Sequence, residues 1–514
     1  MVEITDTIIQ KSIDRPRLNN AMELEKAVED ARDAQTEWAQ IPVTNRSKII
    51  LKIRDELLRR GDEIADIISK ENGKVRFDAY TTEILPGIMA VSHYCKNANK
   101  FLRDTGTGFG SLMTIHKRSK IIRIPYGVIG IISPWNYPFS IPFSEVITGI
   151  LAGNAVILKV ASETQRVGLA IKNLIESADI PSGLFSYINM PGRIFGEELL
   201  KNRIDKIFFT GSVSVGKILM EKASHSLTPL CLELGGNDPM IVCEDANMTR
   251  AVGGAMWAGY SNSGQSCGSV ERLYLHESIY DEFLSLLKTE VDNIRVGLDI
   301  DFNVDMGAMT TQSRIDTVKD HIDDAIAKGA KIYAQSRVTS DNGAHNMLPA
   351  TVLTDVDHRM KIMQEETFGP VIGVMKFSTI SEALTLANDS ALGLTASIWT
   401  KNREEAKKIA RNLRVGVVTI NDHLMSHGMA ETPWGGLKES GFGRTHGKPG
   451  FDEMTHPLTV VDDLLPQLKK AFWWYPYSAN LYQGFKSLAH VIYASRLSER
   501  LKALKKIHNV FRWK

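Results

Sequence analysis

The sequence predicts an α/β protein with two doubly wound sheets of mostly parallel strands, and three observations carry that reading. Short apolar runs alternate with helical patterns from Val128 to Ala223, at the spacing of strand–helix units. The same alternation resumes after Gly235 and continues to Ile420. The chain has 514 residues, 43% hydrophobic and 24% charged, which suits two or three domains rather than one.

Taken in order, residues from about Glu23 to Lys100 read as helices. Ala27, Ala31, Ala34 and Trp38 recur at helical spacing, as do Ile49, Ile53 and Leu57. Leu112–Ile124 mixes apolar residues with charges, as a hairpin or edge ribbon does. Strands are then expected at Val128–Ile132, Ala155–Lys159, Phe185–Asn189 and Ile207–Thr210. Helical patterns lie between them at Phe143–Leu151 and Gly168–Ser177, and Val215–Ala223 follows the last strand. In the second region, helices at Met248–Tyr260, Ser278–Ile294 and Ile315–Lys328 alternate with strands at Arg272–Leu275, Val371–Phe377 and Gly416–Ile420. Pro433–Gly450 is rich in glycine and proline and reads as a loop of defined turns.

Composition excludes several classes. A formal net charge of +1 gives the body no footprint of a nucleic-acid binder. Cys95, Cys231, Cys243 and Cys267 lie far apart without CxxC spacing, so neither a metal site nor a disulfide framework is expected. Sparse cysteine fits a reducing compartment, here the cytoplasm. Met1 to Pro16 lacks the apolar core of a secretory signal, and no stretch reaches the roughly 18 apolar residues of a spanning helix.

Four motifs carry candidate chemistry. In Asn262-Ser263-Gly264-Gln265-Ser266-Cys267-Gly268, glycines permit close backbone approach to a thiol that could act as a nucleophile; alone, an inert buried cysteine is the better reading. Leu232-Glu233-Leu234-Gly235-Gly236 places a carboxylate between apolar residues, where desolvation raises its pKa and suits it to be a general base. A strand-end glutamate paired with a base would look the same. Ser133-Pro134-Trp135-Asn136-Tyr137-Pro138 follows a strand, and its prolines restrict the Asn136 amide as an oxyanion donor requires; the competing role is a helix cap. Phe208-Phe209-Thr210-Gly211-Ser212-Val213-Ser214-Val215-Gly216 puts a glycine turn before a helix N-terminus, where N–H groups favour a phosphate. An ordinary strand–helix turn has the same appearance.

Together these motifs resemble the aldehyde dehydrogenase superfamily. Gly153–Lys159, Glu365-Glu366-Thr367-Phe368-Gly369-Pro370, Asn421 and Pro433–Gly441 follow the family pattern in the family order, and the resemblance covers roughly Glu23 to Asp463. It implies Cys267 as nucleophile, Glu233 as general base, and Asn136 with the Cys267 N–H as oxyanion hole. It implies NAD or NADP as cofactor, bound by Trp135, Lys159, Ser162, Gly211, Ser212, Gly216, Glu366 and Phe368. It further implies a cofactor domain over 1–111 and 125–234, a catalytic domain over 235–455, and an oligomerisation ribbon over 112–124 and 456–463. A homodimer or homotetramer is expected on the same ground.

One departure concerns the cofactor. Many NAD-preferring relatives carry a glutamate three residues after the lysine, where this chain has Ser162. A small neutral side chain leaves room for a 2′-phosphate that a carboxylate repels, although Glu163 stands next to it. Both NAD and NADP therefore stand, with an inclination to NADP. Tyr137, Ser140, Ile141 and Ser144 share a helix face by their spacing, without an arginine to hold a second carboxylate. That favours oxidation of an uncharged, medium or long aldehyde. Succinate semialdehyde is the alternative, because Gly264-Gln265-Ser266-Cys267 resembles some dehydrogenases of that substrate. A catalytically silent binding protein and a CoA-dependent enzyme are opposed by the intact Cys267, Glu233 and Asn136.

The extension 464–514 lies beyond the resemblance. It holds Phe472-Trp473-Trp474-Tyr475-Pro476-Tyr477, then Leu481, Phe485, Leu488 and Ile492 at helical spacing. Lys469, Lys470, Lys486, Arg496, Arg500, Lys502, Lys505, Lys506, Arg512 and Lys514 face a single acid, Glu499. Such a basic, aromatic helix suits peripheral contact with an anionic membrane, and packing on the protein is the equal alternative.

Overall fold

The structure, a computed structural model, describes residues 16–507 apart from 109, 300, 339–345, 468, 470 and 472. The reading of Met1 to Arg15, and those of Lys470, Phe472, Arg512 and Lys514, lie outside the described residues. The described residues form two compact units, one of those up to 102 together with 125–456, and one of 103–124 together with those from 457 on.

The first unit opens on long helices, as the spacing predicts. Asn20 and Glu23 form a reciprocal capping box that starts the helix Ala21–Gln40, which buries Leu24, Val28, Ala31, Ala34 and Trp38 on one stripe. Val43–Asn72 follows and stops at Gly73, whose φ of 91° needs a glycine. Arg76–Ala79 then passes through a π-helical turn, Tyr80–Ile84, into Leu85–Leu102.

Six strands make the first sheet, in the spatial order Gly441–Phe442, Leu230–Glu233, Lys206–Thr210, Val128–Ile132, Ala155–Lys159 and Phe185–Tyr187. All pair in parallel except Gly441–Phe442, which returns from late in the chain and runs antiparallel to Leu230–Glu233. The central strands are buried on both faces, which is why they read as unbroken apolar runs. Helices Ser140–Ala152, Gln165–Glu176 and Val213–Ser224 fill the expected connections. The first begins three residues before the expected start because Pro142 sits in its first turn, where no intrahelical donor is lost. The strand expected at Phe185–Asn189 ends at Tyr187.

The second sheet runs Lys331–Gln335, Thr351–Thr354, Val371–Phe377, Val270–His276, Asp238–Val242, Thr395–Trp399 and Val417–Ile420. Only its first strand is antiparallel to its neighbour. Sequence reading passed over several strands. Asp238-Pro239 resembles a turn, and Thr395–Trp399 carries polar residues that are nonetheless buried, Ser397 completely so.

In the second unit, Thr105–Gly106, Lys117–Pro125 and Thr455–Asp463 form a three-stranded sheet with Lys117–Pro125 in the middle. The hairpin reading of Leu112–Ile124 is therefore corrected. Leu112–Thr114 is a 3₁₀ turn, and the remainder is one strand with partners on both edges, so nothing folds back on itself. The extension contributes two helices. Ala479–Tyr493 buries Leu481, Gly484 and Ser487, and Tyr493 Oη shares a hydrogen bond with Ser111 Oγ at 2.6 Å. Leu497–Leu504 buries nothing and exposes Leu497, Leu501 and Leu504. Among the described residues no helix is long and apolar enough to cross a membrane.

Candidate active site

The candidate residues gather at the carboxyl ends of the parallel strands, where an open α/β sheet leaves its crevice. Asn136 follows Val128–Ile132, Lys159 ends Ala155–Lys159, Gly211 follows Lys206–Thr210, and Glu233 ends Leu230–Glu233.

The cysteine segment reaches this place through a tight turn after the helix Met248–Tyr260. Asn262, Ser263 and Gly264 are all left-handed, with φ of 51°, 56° and 70°. Two such non-glycine residues cost of order 1–3 kcal/mol each, and the surroundings hold them. Asp78 Oδ2 accepts from Asn262 N at 3.0 Å, Ser263 Oγ donates to Gly307 O at 2.9 Å, and Gln265 Oε1 accepts from Thr310 N at 2.9 Å. A side chain at Gly264 would meet Gly369 O at 2.2 Å.

Cys267 is half-buried against Leu394, Val417 and Trp434. Burial, with the carboxylates of Glu366, Asp238 and Glu233 around it, holds its thiol well above the ordinary range. The thiol is thus protonated near neutrality, and a nucleophilic role would require its proton to leave first. Glu233 is 5% exposed and lines the same cavity of about 360 Å³, with Ile141, Leu234, Trp434 and Thr445 among the other walls. Both its carboxyl oxygens are buried without a hydrogen-bond partner, so it is not the paired strand-end glutamate considered above. Burial above all, and the nearby Glu145, push its pKa well above the carboxylate range.

The two glycines after Glu233 have separate physical reasons. A Cβ on Gly236 would sit 2.2 Å from Cys267 O, and one on Gly235 would sit 2.5 Å from a Glu366 carboxylate oxygen. Gly236 N donates to Glu366 Oε1 at 3.0 Å. Glycine at these positions lets the cysteine loop and Glu366 close on the end of the glutamate strand.

Asn136 is held from both sides. Its Nδ2 donates to Gln265 O at 3.2 Å, two residues before Cys267, and its own carbonyl accepts from Asn262 Nδ2 at 2.9 Å and Lys74 Nζ at 2.8 Å. It does not cap the next helix. That task falls to Glu83, whose Oε2 accepts from Phe139 N at 2.7 Å and Ser140 N at 3.2 Å. Lys74 and Glu83 form a fully buried ion pair at 2.7 Å, with Glu83 carried on the π-helical turn. Sequence reasoning missed both, since neither belongs to a motif and their pairing is tertiary.

The candidate cofactor residues divide into two groups. Trp135 and Phe368 meet edge to face with centroids 5.5 Å apart, and Glu271, also missed, receives Thr367 N at 3.1 Å and Phe368 N at 2.8 Å. Phe368 is itself left-handed at φ 54°. At the other end, Ser212 caps the helix Val213–Ser224 by accepting from Val215 N at 3.4 Å, while Gly216 packs so close to Leu234 that a Cβ would overlap it. Lys159 is 7% exposed, with Nζ directed at Gly192, where a Cβ would lie 3.3 Å away. Burial lowers its pKa, against the pull of Glu163. Ser162 is half-buried in the turn that follows. A buried cation over a glycine and a capped helix N-terminus fit the ribose and diphosphate of NAD or NADP. Among the described residues no group of three or more His, Cys, Asp or Glu is arranged to hold a metal.

A second cavity of about 270 Å³ adjoins the first at His427 and His446 and is lined by Tyr94, Ser140, Ser144 and Ala430 among others. Neither cavity has a lysine or arginine in its walls. Of the expected helix face, Ile141, Ser140 and Ser144 line these spaces. The Tyr137 ring instead packs under Lys74 Nζ, 4.1 Å from its centroid.

Against known proteins, residues 2–460 match the model described as the aldehyde dehydrogenase family. The chain is 40% identical over 470 residues to the 4,4'-diapolycopene aldehyde oxidase of Methylomonas sp, covering 91% of this chain and 87% of that one. It is 36% identical over 445 residues to a putative succinate-semialdehyde dehydrogenase [NADP(+)] 2 of Mycobacterium ulcerans (strain Agy99), covering 86% and 85%. The crystal structure of betaine aldehyde dehydrogenase from Staphylococcus aureus in complex with NAD+ superposes with a TM-score of 0.82 at 30% identity, covering 89% of this chain and 90% of that one.

Proposed function

Since the chain belongs to the aldehyde dehydrogenase family, we propose that this cavity oxidises a medium or long apolar aldehyde to its carboxylic acid. The observation that carries the reading is that Cys267 and Glu233 open on one cavity whose walls hold no cation. NAD or NADP, when bound, supplies the hydride acceptor. The Cys267 sulfur adds to the aldehyde carbon as the thiol proton passes through water to solvent, and the Asn136 Nδ2–H and the Cys267 N–H stabilise the oxyanion. In the thioester that follows oxidation, Glu233 takes a proton from water as that water attacks the acyl carbon. The C–S bond then breaks, and the acid leaves. Lys159 and Ser162 would hold the adenosine ribose, Gly211, Ser212 and Gly216 the diphosphate, and Trp135, Glu366 and Phe368 the nicotinamide end.

The relative that acts on 4,4'-diapolycopene aldehyde supports a long apolar substrate. The mycobacterial relatives favour succinate semialdehyde as a second reading. A second carboxylate in this cavity, however, would meet Glu145 and Glu233, while Arg444 lines the neighbouring cavity and not this one. The test is NAD(P)H formation with an aldehyde panel, with and without CoA. Hexanal and longer aldehydes are expected to react best, independently of CoA. A strong kcat/KM preference for succinate semialdehyde would overturn the substrate class.

The ribbon 112–124 and 456–463 is the proposed contact for a homodimer or homotetramer, because Thr455–Asp463 is an outer strand with an exposed run of side chains. The proposed setting is the cytoplasm, with the extension in peripheral contact with an anionic membrane. Leu497–Leu504 supports this: Leu497, Leu501 and Leu504 are exposed beside Arg496, Arg500 and Lys502.

A further inference from the structure

Glu145 is the one acid of the buried helix Ser140–Ala152, and no motif includes it. It is 5% exposed, and its Oε2 has no hydrogen-bond partner. A buried polar atom without a partner lowers stability, so its presence calls for a reason outside packing. Its position supplies one. Glu145 lines the cavity that holds Cys267 and Glu233, and it also lines a separate cavity of about 210 Å³ bounded by Thr148, Phe208, Arg444 and Met454. Glu233 has both oxygens buried and unpartnered, so a proton taken from water there has no direct partner to which it can pass.

We propose that Glu145 is the positioning residue that relays the proton of Glu233 out of the active site, an inference that rests on Glu233 being the base. After the attacking water has given its proton to Glu233, a second water in the shared cavity carries that proton to one oxygen of Glu145, which releases its own from the other oxygen to water in the neighbouring cavity and so to solvent. Both carboxyls are thereby restored, and no charge accumulates in an apolar space. Burial keeps Glu145 protonated near neutrality, with its pKa raised to about 8, as a shuttle of this kind requires. The titratable groups facing the pair are Cys267, His427, His446 and Arg444, with Tyr94 beside Glu145 and Glu453 beside Glu233. Cys231 lies within the field of both carboxyls. Burial keeps His427 and His446 neutral, which leaves Glu145 as the carboxyl able to exchange protons with Glu233.

The test compares Glu145→Gln, Glu145→Asp and Glu233→Gln by rapid mixing and in the steady state, in H2O and D2O. Glu145→Gln is expected to keep the first-turnover burst of NAD(P)H and KM, and to lower kcat by about 100-fold, the scale of a positioned proton transfer. The solvent isotope effect on kcat should rise, and Glu145→Asp should recover part of the rate. Wild-type kcat in Glu145→Gln, or loss of burst and kcat together, overturns the relay. Glu233→Gln separates the two ideas. Sustained turnover there removes the base and the relay with it, whereas a burst followed by a stall keeps the base, and the relay then stands or falls with Glu145→Gln.

Discussion

Cys267 and Glu233 share one cavity, and burial raises the pKa of both. Cys267, Glu233 and Asn136 stand in short patterns with glycine or proline, whose backbone demands leave a trace in the sequence. Glu271 and Glu83 act by accepting main-chain N–H groups from segments far along the chain, and such pairing leaves none. Cys267→Ala is expected to abolish turnover while cofactor affinity, read by fluorescence titration, stays within a few-fold. Glu233→Gln is expected to give the burst and then stall. The pH dependence follows from burial. Glu233 has its pKa raised well above 4.5, so the folded enzyme favours the neutral carboxyl and the base form appears only as pH rises through the raised value. Steady-state kcat should therefore climb with pH along a limb lying well above the ordinary carboxylate range. A flat profile from pH 5 to 9 would contradict this. At the cofactor end, Ser162→Glu is expected to move the kcat/KM ratio towards NAD by about tenfold or more, through repulsion of a 2′-phosphate.

At the scale of elements, the turn that carries Asn136 depends on two helices before it. Lys74, just past the glycine that ends the long second helix, and Glu83 in the π-helical turn neutralise each other in full burial, and between them hold the Asn136 carbonyl and the first N–H groups of Ser140–Ala152. Removing one partner of such a pair leaves a buried charge, at about 3–5 kcal/mol. Lys74→Ala is therefore expected to destabilise the fold by that amount in urea unfolding and to lower kcat more than KM, because Asn136 loses its anchor. Helical spacing announced these helices, but period alone does not show a π turn inserted into a continuous helical pattern. Short strands leave little signal: Leu230–Glu233 spans only four residues, and Thr395–Trp399 owes its burial to neighbours on both sides rather than to an apolar run of its own.

For the whole molecule, the alternation of strands and helices was enough to name the class, whereas the pairing of Lys117–Pro125 with segments before and after it was not readable locally. The extension gives a test at this scale. The full chain should cosediment with anionic liposomes at low salt and be released at high salt, and a chain ending at Asp463 should not bind. Equal, negligible binding by both would leave packing as its role. The strand Gly441–Phe442 has a different consequence. It pairs with Leu230–Glu233, so that Gly441 lies opposite Glu233 across more than two hundred residues of chain. During synthesis the edge beside Glu233 stays open until every strand of the second sheet has been made, and such distant closure is slow. Ribosome-bound chains stalled before Gly441 should then offer a free strand edge to chaperones or to one another, and gain enzymatic competence only after this staple is set.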